Sequence, residues 1–403
     1  MSRVFCVWEL GEDMGHLARF AAIADELLSR GHEVVCALKD LSRAHQFFEG
    51  KPVKLLQSPI WLPRLKEPFA THSFAEILSY KGYQSPQTLK SLVRTWASLF
   101  DLVDPDLIIF DHAPTALLAA RGRRTPRVIC SAPFATLAPG FPLASLHSSG
   151  DADNNRVIAG ERGMTTVINQ VLLSVGMPQV SHVSDMFEAE ATILRGVREL
   201  DLYRDRRKGA IYVGALEPKI AAFQEPQWRN NGQPKIFVYL KQRSGKSIIV
   251  LEALARADAD IVCYYAGATV EFCQQWQASM FITNTPINLD MVLDSADMIV
   301  CHGGIGVVSS ALQAGLPLLI APTQLEQTHT ALLLQDLGVA TVVQEYDDVD
   351  ALQAKLAAML GTTQYLERAQ RFSQVRQAVN SGEPAKIVGD ICDSLLRNRA
   401  REL

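Results

Sequence analysis

The chain has 403 residues, 48% of them hydrophobic and 20% charged, with a formal net charge of −4 at neutral pH. This length favours two domains, each large enough to bury its own core. The balanced composition is that of a globular protein, and the mild negative charge argues against nucleic acid or an anionic membrane as the main partner.

No run of about 18 apolar residues occurs, and no basic leader precedes an apolar stretch. We therefore expect a cytoplasmic protein without a transmembrane segment. The seven cysteines are scattered, and most lie in apolar, strand-like runs where a reduced cysteine serves as a small core residue. No Cys/His spacing indicates a zinc site, so we expect no metal.

The first half alternates strands and helices. Its strands are predicted at residues 3–10, 33–38, 107–110 and 127–131, with helices after the first and third. The runs are apolar on both faces, which is typical of parallel strands covered by helices. Two intervening segments differ from this pattern. Residues 59–100 carry aromatic side chains among prolines, and residues 139–162, rich in Gly, Ser, Asp and Asn, are predicted to form a mobile loop.

The second half repeats the alternation, starting with a strand at 236–240, a helix at 247–257 and a strand at 260–265. Amphipathic helices are predicted at the end of the chain, at residues 348–359, 364–379 and 385–397.

We therefore predict an α/β protein with two Rossmann-like, doubly wound domains facing a cleft, where ligands would bind at the carboxyl ends of the strands. The predicted divisions are an N-terminal domain (1–213), a linker (214–234), a C-terminal domain (235–380) and a last helix (381–403) that packs back on the first domain.

Residues 297–327 are the most informative stretch. They read as a strand (298–301), a glycine-rich turn (302–306), a helix (307–314) and a second strand (318–321). Glycines between a strand and a helix let a ligand approach the backbone amides, and the helix start adds free donors that suit a phosphate. His302 can add another donor, and the polar loop 323–327 can face the same ligand.

Several motifs, taken in chain order, resemble those of a UDP-glycosyltransferase-like family. This is the inverting GT-B family of small-molecule and antibiotic glycosyltransferases. The opening GHLARFAAIADELLSRGHEVVCA, the strand in DPDLIIFDHAPTALLAA and the segment IYVGALEP are similar to the family's first half. The sequences CHGGIG and LEQTHTALLLQDLGVA resemble its donor-binding signature.

The resemblance implies that His16 is the catalytic base and Asp111 its orienting partner. A histidine can take the proton of an acceptor hydroxyl near neutral pH, and a carboxylate on its other nitrogen fixes the tautomer. Asp111 has a second interpretation as the N-cap of the helix that follows it.

The donor would be a nucleotide-diphosphate sugar, acting as a co-substrate, with no further cofactor. The expected donor-binding residues are His302, Gly303, Gly304, Gly306, Val307, Ser310, Glu326 and Gln327. Helix-terminal amides and His302 would stabilise the leaving diphosphate without a metal, in a single displacement with inversion. The acceptor would be a small or lipid-like molecule; its candidate contacts, which are also plausible core residues, are Trp61, Phe74, Tyr83, Phe134 and Phe141.

Departures from the family pattern affect the donor. Val307 stands where the family often has serine or threonine, and Glu326 replaces an aspartate. Ser310 stands where many UDP-using members carry a glutamate for the ribose hydroxyls, so a dTDP-sugar is plausible beside a UDP-sugar. Glu12 and Asp13 are alternative partners for His16.

Two other functions stay open: a nucleotide-sugar 2-epimerase of the same fold, and a non-catalytic module that binds nucleotide sugars. The sequence leaves the protein a monomer or a homodimer.

Overall fold

The computed structural model describes residues 1–11, 14–63, 70–146, 151–216, 223–241, 245–377 and 382–402. The chain divides into two compact units: unit 1 comprises Met1–Pro218 and Gly382–Leu403, and unit 2 comprises Lys219–Ser381. Each unit contains one parallel sheet with helices between its strands. The prediction of two doubly wound α/β domains is therefore confirmed.

Unit 1 is built on a seven-stranded sheet in the order β3-β2-β1-β4-β5-β6-β7. Its strands are β1 (Arg3–Trp8), β2 (Glu33–Leu38), β3 (Val53–Gln57), β4 (Leu107–Asp111), β5 (Arg127–Ser131), β6 (Ala191–Leu194) and β7 (Ile211–Tyr212). Trp8 at the end of β1 lies opposite Asp111 at the end of β4. The loops that follow these two central strands therefore begin at the same edge of the sheet, where α/β proteins bind ligands.

Helices cover the sheet of unit 1. They are α1 (Gly15–Ser29), α2 (His45–Phe48), α3 (Phe74–Leu78), α4 (Pro86–Val103), α5 (Pro114–Ala120) and α6 (Asp151–Ser174). A π-helical turn (Ser79–Tyr83) lies between α3 and α4, and two 3₁₀ turns (Val183–Phe187 and Arg198–Leu200) lie before and after β6. Apolar side chains of α4, α5 and α6 pack with those of β1 and β4 in one core.

The prediction of a mobile loop over 139–162 was wrong in its second half, because α6 begins at Asp151. The polar composition of its first turns hides a helical pattern. Val157, Met164, Ile168 and Val171 recur at helical spacing and are all buried in the core of unit 1. Burial of this stripe outweighs the low helix propensity of the intervening glycines. Residues 147–150 lie outside the described residues.

Unit 2 is built on a six-stranded parallel sheet in the order β10-β9-β8-β11-β12-β13. Its strands are β8 (Lys235–Lys241), β9 (Asp260–Ala266), β10 (Phe281–Thr283), β11 (Met298–Cys301), β12 (Leu318–Ile320) and β13 (Ala340–Val342). Its helices are α7 (Gly245–Ala255), α8 (Val270–Trp276), α9 (Leu289–Leu293), α10 (Ile305–Ala314), α11 (Leu325–Asp336), α12 (Val349–Leu360) and α13 (Gln364–Gln377). β8 and β11 are neighbours at the centre, so the loops after them start side by side.

The last helix, α14 (Pro384–Glu402), belongs to unit 1 and packs against α1. Val388 and Cys392, on the apolar face of α14, are fully buried. Arg30, which follows α1, pairs with Asp393 at 2.7 Å, and His32 Nε2 lies 2.9 Å from the other oxygen of the same carboxylate. Among the described residues, no helix has the length and apolar character required to span a bilayer.

We expect Asp393→Asn to lower the free energy of unfolding by about 1–2 kcal/mol, because it weakens two charge-assisted contacts that are partly shielded from water. Asp390→Asn is the matched control: Asp390 also pairs with Arg30, at 2.8 Å, but its side chain is 60% exposed. We expect the control to cost less than about 0.5 kcal/mol. Urea denaturation followed by tryptophan fluorescence measures both, and equal losses would contradict a specific role for Asp393.

Candidate active site

His16 and Asp111 are in direct contact in unit 1. His16 lies in the first turn of α1, and its Nδ1 is 2.6 Å from Oδ2 of Asp111, the last residue of β4. The other carboxylate oxygen accepts a hydrogen bond of 2.9 Å from the hydroxyl of Ser131, at the end of β5. The ring of His16 stacks on Trp8, with centroids 4.7 Å apart and planes 11° apart. The imidazole is therefore held at Nδ1 by Asp111 and on one face of the ring by Trp8.

Arg19, which was not predicted from the sequence, is the third ionisable side chain at this position. It follows His16 by three residues on α1, so both side chains project from the same helix face. Its side chain has no exposed surface and forms an ion pair with Oδ2 of Asp111. The spacing from His16 was the available signal, but an arginine in a helix is usually exposed, and sequence alone gives no reason to place it in the core.

These contacts determine the charge of each group. Burial works against the ionised form of Asp111, but Arg19 and then His16 outweigh it and hold the pKa of Asp111 well below its usual range. Burial also lowers the pKa of His16; Asp111 acts in the opposite direction, and Arg19 and Arg195 lower the pKa further. At neutral pH, Asp111 is therefore an anion and His16 is neutral. Because the carboxylate can only accept, Nδ1 carries the hydrogen and Nε2 the free lone pair.

Gly11 leaves space beside the basic nitrogen. It adopts φ = +82°, and a Cβ built there would lie 2.7 Å from His16 Nε2 and 3.1 Å from His112 Nδ1. Any other residue would be strained and would also crowd the lone pair of Nε2. His112 stays neutral, because burial lowers its pKa to about 3, with a contribution from His16. Glu12 and Asp13, the alternative partners of His16, lie outside the described residues.

The interpretation of Asp111 as an N-cap does not match the contacts, because another carboxylate binds the start of α5. Glu9, buried at the end of the β1 region, accepts from the backbone amide of Thr115 at 2.9 Å and from that of Ala116 at 3.3 Å. Burial raises the pKa of Glu9 to about 7, with the bonds to Thr115 acting in the opposite direction. Asp111 is thus left for His16, Ser131 and Arg19.

The five aromatic candidates for acceptor contact occupy different environments. Phe74 and Tyr83 are fully buried in the core of unit 1, which favours a packing role. Trp61 and Phe134 are half-buried. Phe141 is 38% exposed, so among the five it presents the largest exposed fraction. Their role as acceptor contacts stays a prediction.

In unit 2, the glycine-rich turn joins β11 to α10. The helix begins at Ile305, with Gly304 as its N-cap, so the predicted start at Val307 was two residues late and Gly306 lies inside the first turn. The backbone amides of Ile305, Gly306 and Val307 have no acceptor within the helix, because they belong to its first turn. His302 is buried before this turn; its Nδ1 lies 3.4 Å from the carbonyl oxygen of Tyr239, at the carboxyl end of β8.

The turn packs closely against the start of α11. Gly303 has φ = +88°, and a Cβ there would lie 2.9 Å from Cγ2 of Ile320 and 3.3 Å from the backbone oxygen of Gln327. The side-chain oxygen of Gln327 accepts from the amide and the hydroxyl of Thr323, at 2.9 and 3.0 Å. Glu326 lies beside Gln327 in the first turn of α11.

The predicted donor-binding residues of unit 2 thus divide into two groups. The turn His302–Gly304 and Gln327 are brought together by the packing at Gly303. On α10, Val307 is half-buried and Ser310 is buried, with 9% of its surface exposed.

Comparison with known proteins identifies the chain's relatives. Residues 248–394 match the family described as "Erythromycin biosynthesis protein CIII-like, C-terminal domain". A zeaxanthin glucosyltransferase from Pseudescherichia vulneris is 24% identical over 387 residues, which is 91% of either chain. The chain is therefore similar in sequence to a glycosyltransferase along most of its length.

Solved structures of two glycosyltransferases share the fold of this chain, which is the GT-B fold. The calicheamicin glycosyltransferase CalG4 aligns with a TM-score of 0.74 at 16% identity, covering 98% of each chain. The glycosyltransferase SsfS6 from Streptomyces sp. SF2575, in complex with thymidine diphosphate, aligns with a TM-score of 0.64 at 16% identity, covering 98% of this chain and 100% of the other.

The close packing at Gly303 in unit 2 yields a stability prediction. We expect Gly303→Ala to destabilise unit 2 by about 2–4 kcal/mol, because strain at positive φ adds to a clash with Ile320. Gly267→Ala is the matched control: Gly267 has φ = +85°, but nothing lies within 4 Å of its ideal Cβ. We expect the control to cost about 1 kcal/mol. Chemical denaturation measures the difference; equal costs would show that the contact with Ile320 relaxes freely.

Proposed function

We propose that this enzyme transfers a sugar from a nucleotide-diphosphate donor to a hydroxyl group of a small or lipid-like acceptor, with inversion at the anomeric carbon. The observation that carries the proposal is the contact of His16 with Asp111, which leaves Nε2 unprotonated beside Gly11. A neutral imidazole held by a buried carboxylate is the arrangement that a general base requires.

The reaction would be one displacement. Nε2 of His16 takes the proton of the acceptor hydroxyl while its oxygen attacks the anomeric carbon, and the bond from that carbon to the diphosphate oxygen breaks. Asp111 stabilises the imidazolium that forms, since its ionised carboxylate lies 2.6 Å from Nδ1. Because the nucleophile and the leaving group occupy opposite faces of the carbon, the configuration inverts.

The proposed donor site is the start of α10 in unit 2. The free amides of Ile305, Gly306 and Val307, together with the helix dipole, favour the negative charge that develops on the departing diphosphate. His302, with Gly303 and Gly304, would supply the approach for the phosphates, and Glu326 and Gln327 would contact the sugar hydroxyls. This stabilisation needs no metal ion.

Two of the comparisons support narrower choices. The similarity to a zeaxanthin glucosyltransferase supports a lipid-like acceptor. The related fold that was solved with thymidine diphosphate supports a dTDP-sugar, as does Ser310, which is too short to reach a ribose as a glutamate would.

We expect His16→Ala to lower turnover by about 10²–10⁴-fold, because the acceptor hydroxyl loses its base. A coupled assay of released nucleoside diphosphate, with a panel of donors and hydroxylated acceptors, measures the effect.

His45→Ala is the control for this substitution, since it removes an exposed histidine of unit 1. Calorimetry should show nucleotide binding unchanged in both variants. Undiminished turnover by His16→Ala would exclude His16 as the base. A donor that epimerises in the absence of any acceptor would instead favour the 2-epimerase.

We expect dTDP to raise the melting temperature more than UDP does at equal concentration, because tighter binding to the native state stabilises it more. Ser310→Ala should keep this order, since the preference would come from the absence of a long ribose-binding side chain at position 310. Equal shifts, or a larger shift with UDP, would contradict the dTDP preference.

A further inference from the structure

The environment of Arg19 differs from that of an ordinary structural arginine. Its side chain has no exposed surface, and none of its three guanidinium nitrogens makes a regular hydrogen bond within the described part of the chain. Its charge partner there is Oδ2 of Asp111, the oxygen that also contacts His16. A buried cation without full hydrogen bonding is a costly choice for packing alone, because an apolar side chain of similar volume would fill the same space.

We propose that Arg19 is a positioning residue: its guanidinium fixes the carboxylate of Asp111, and through it the ring of His16, and so sets the pH range in which His16 accepts a proton. This inference deepens the proposed function and rests on it. Arg19 approaches Asp111 from α1, and Ser131 binds the other oxygen from β5. The carboxylate therefore cannot rotate without losing a partner on either side.

The charged groups that surround His16 give the direction of the effect. Asp111 lies against Nδ1 from β4, Arg19 comes from α1 itself, Arg195 follows β6, and His112 follows β4. Asp111 raises the pKa of His16, whereas Arg19 and Arg195 lower it. Burial raises the pKa of Asp111, and Arg19 makes the largest contribution among the groups that lower it. Removing this cation therefore raises the pKa of both groups, so the pair binds a proton at higher pH.

The test compares Arg19→Met, which keeps much of the side-chain volume, with Arg19→Lys, which restores a cation. We expect the acidic limb of the kcat/KM profile to move upward by about 1 pH unit in Arg19→Met. At pH values on the acidic side of the limb, kcat/KM of Arg19→Met should then be about tenfold lower than that of the wild type. The decrease in kcat/KM should be smaller at high pH. Arg19→Lys should return the limb toward its wild-type position. An unmoved limb in Arg19→Met, or an equal displacement in both variants, would overturn the proposal.

Arg207→Met controls for the loss of a buried ion pair in unit 1. Arg207 Nε lies 2.5 Å from Asp201, and both side chains are almost fully buried. We expect Arg207→Met to lower stability without moving the acidic limb; a displacement equal to that of Arg19→Met would show that any such loss has this effect, and would overturn the proposal.

A second readout does not depend on catalysis. NMR titration of the His16 ring, assigned with His16→Gln, should show a higher pKa in Arg19→Met than in the wild type. If no donor and acceptor react, the proposed function fails, yet this titration still tests Arg19. An unchanged His16 pKa in Arg19→Met would refute the role of Arg19 whatever the activity.

Discussion

The carboxylate of Asp111 is the group on which the arrangement of unit 1 depends. It lies at the end of a central strand with no exposed surface, and burying an unpaired charge costs several kcal/mol. The structure compensates with three side chains from different elements: His16 and Arg19 from α1 and Ser131 from β5. Because each partner must reach the same two oxygens, the carboxylate determines how α1 and β5 meet the carboxyl end of β4.

The same requirement connects folding to chemistry. Burial, together with nearby arginines, lowers the pKa of the imidazole and keeps it neutral. The carboxylate, which is an anion at neutral pH, orients the imidazole and raises that pKa. Stability and basicity thus depend on one set of contacts. In unit 2 the corresponding constraint is steric: Gly303 brings the turn after β11 against the start of α11, because no larger side chain fits there.

The strands named below and the two central residues of the candidate site were predictable from the sequence, because the patterns that indicate them are local. Apolar runs predicted β5 and β11 with their observed bounds, and the resemblance carried by the motifs around His16 and Asp111 implied that these two residues are partners. Arg19 was not predictable, since its burial depends on a carboxylate 92 positions away in the chain. The start of α6 was missed because a polar first turn conceals a stripe that only the tertiary core buries. Glu9 was missed for a related reason: its partners at the start of α5 follow from sheet order, not from spacing.

The position of α14 has a consequence for biosynthesis. Unit 1 is discontinuous, since its first segment ends at Pro218 and its last helix begins after the whole of unit 2 has been made. A nascent chain can complete unit 2 as one contiguous piece, but α1 must wait for the synthesis of α14 before Arg30 and His32 meet Asp393. Unit 2 is therefore one continuous stretch of the chain, whereas a deletion of α14 removes a piece of unit 1 although α14 follows unit 2.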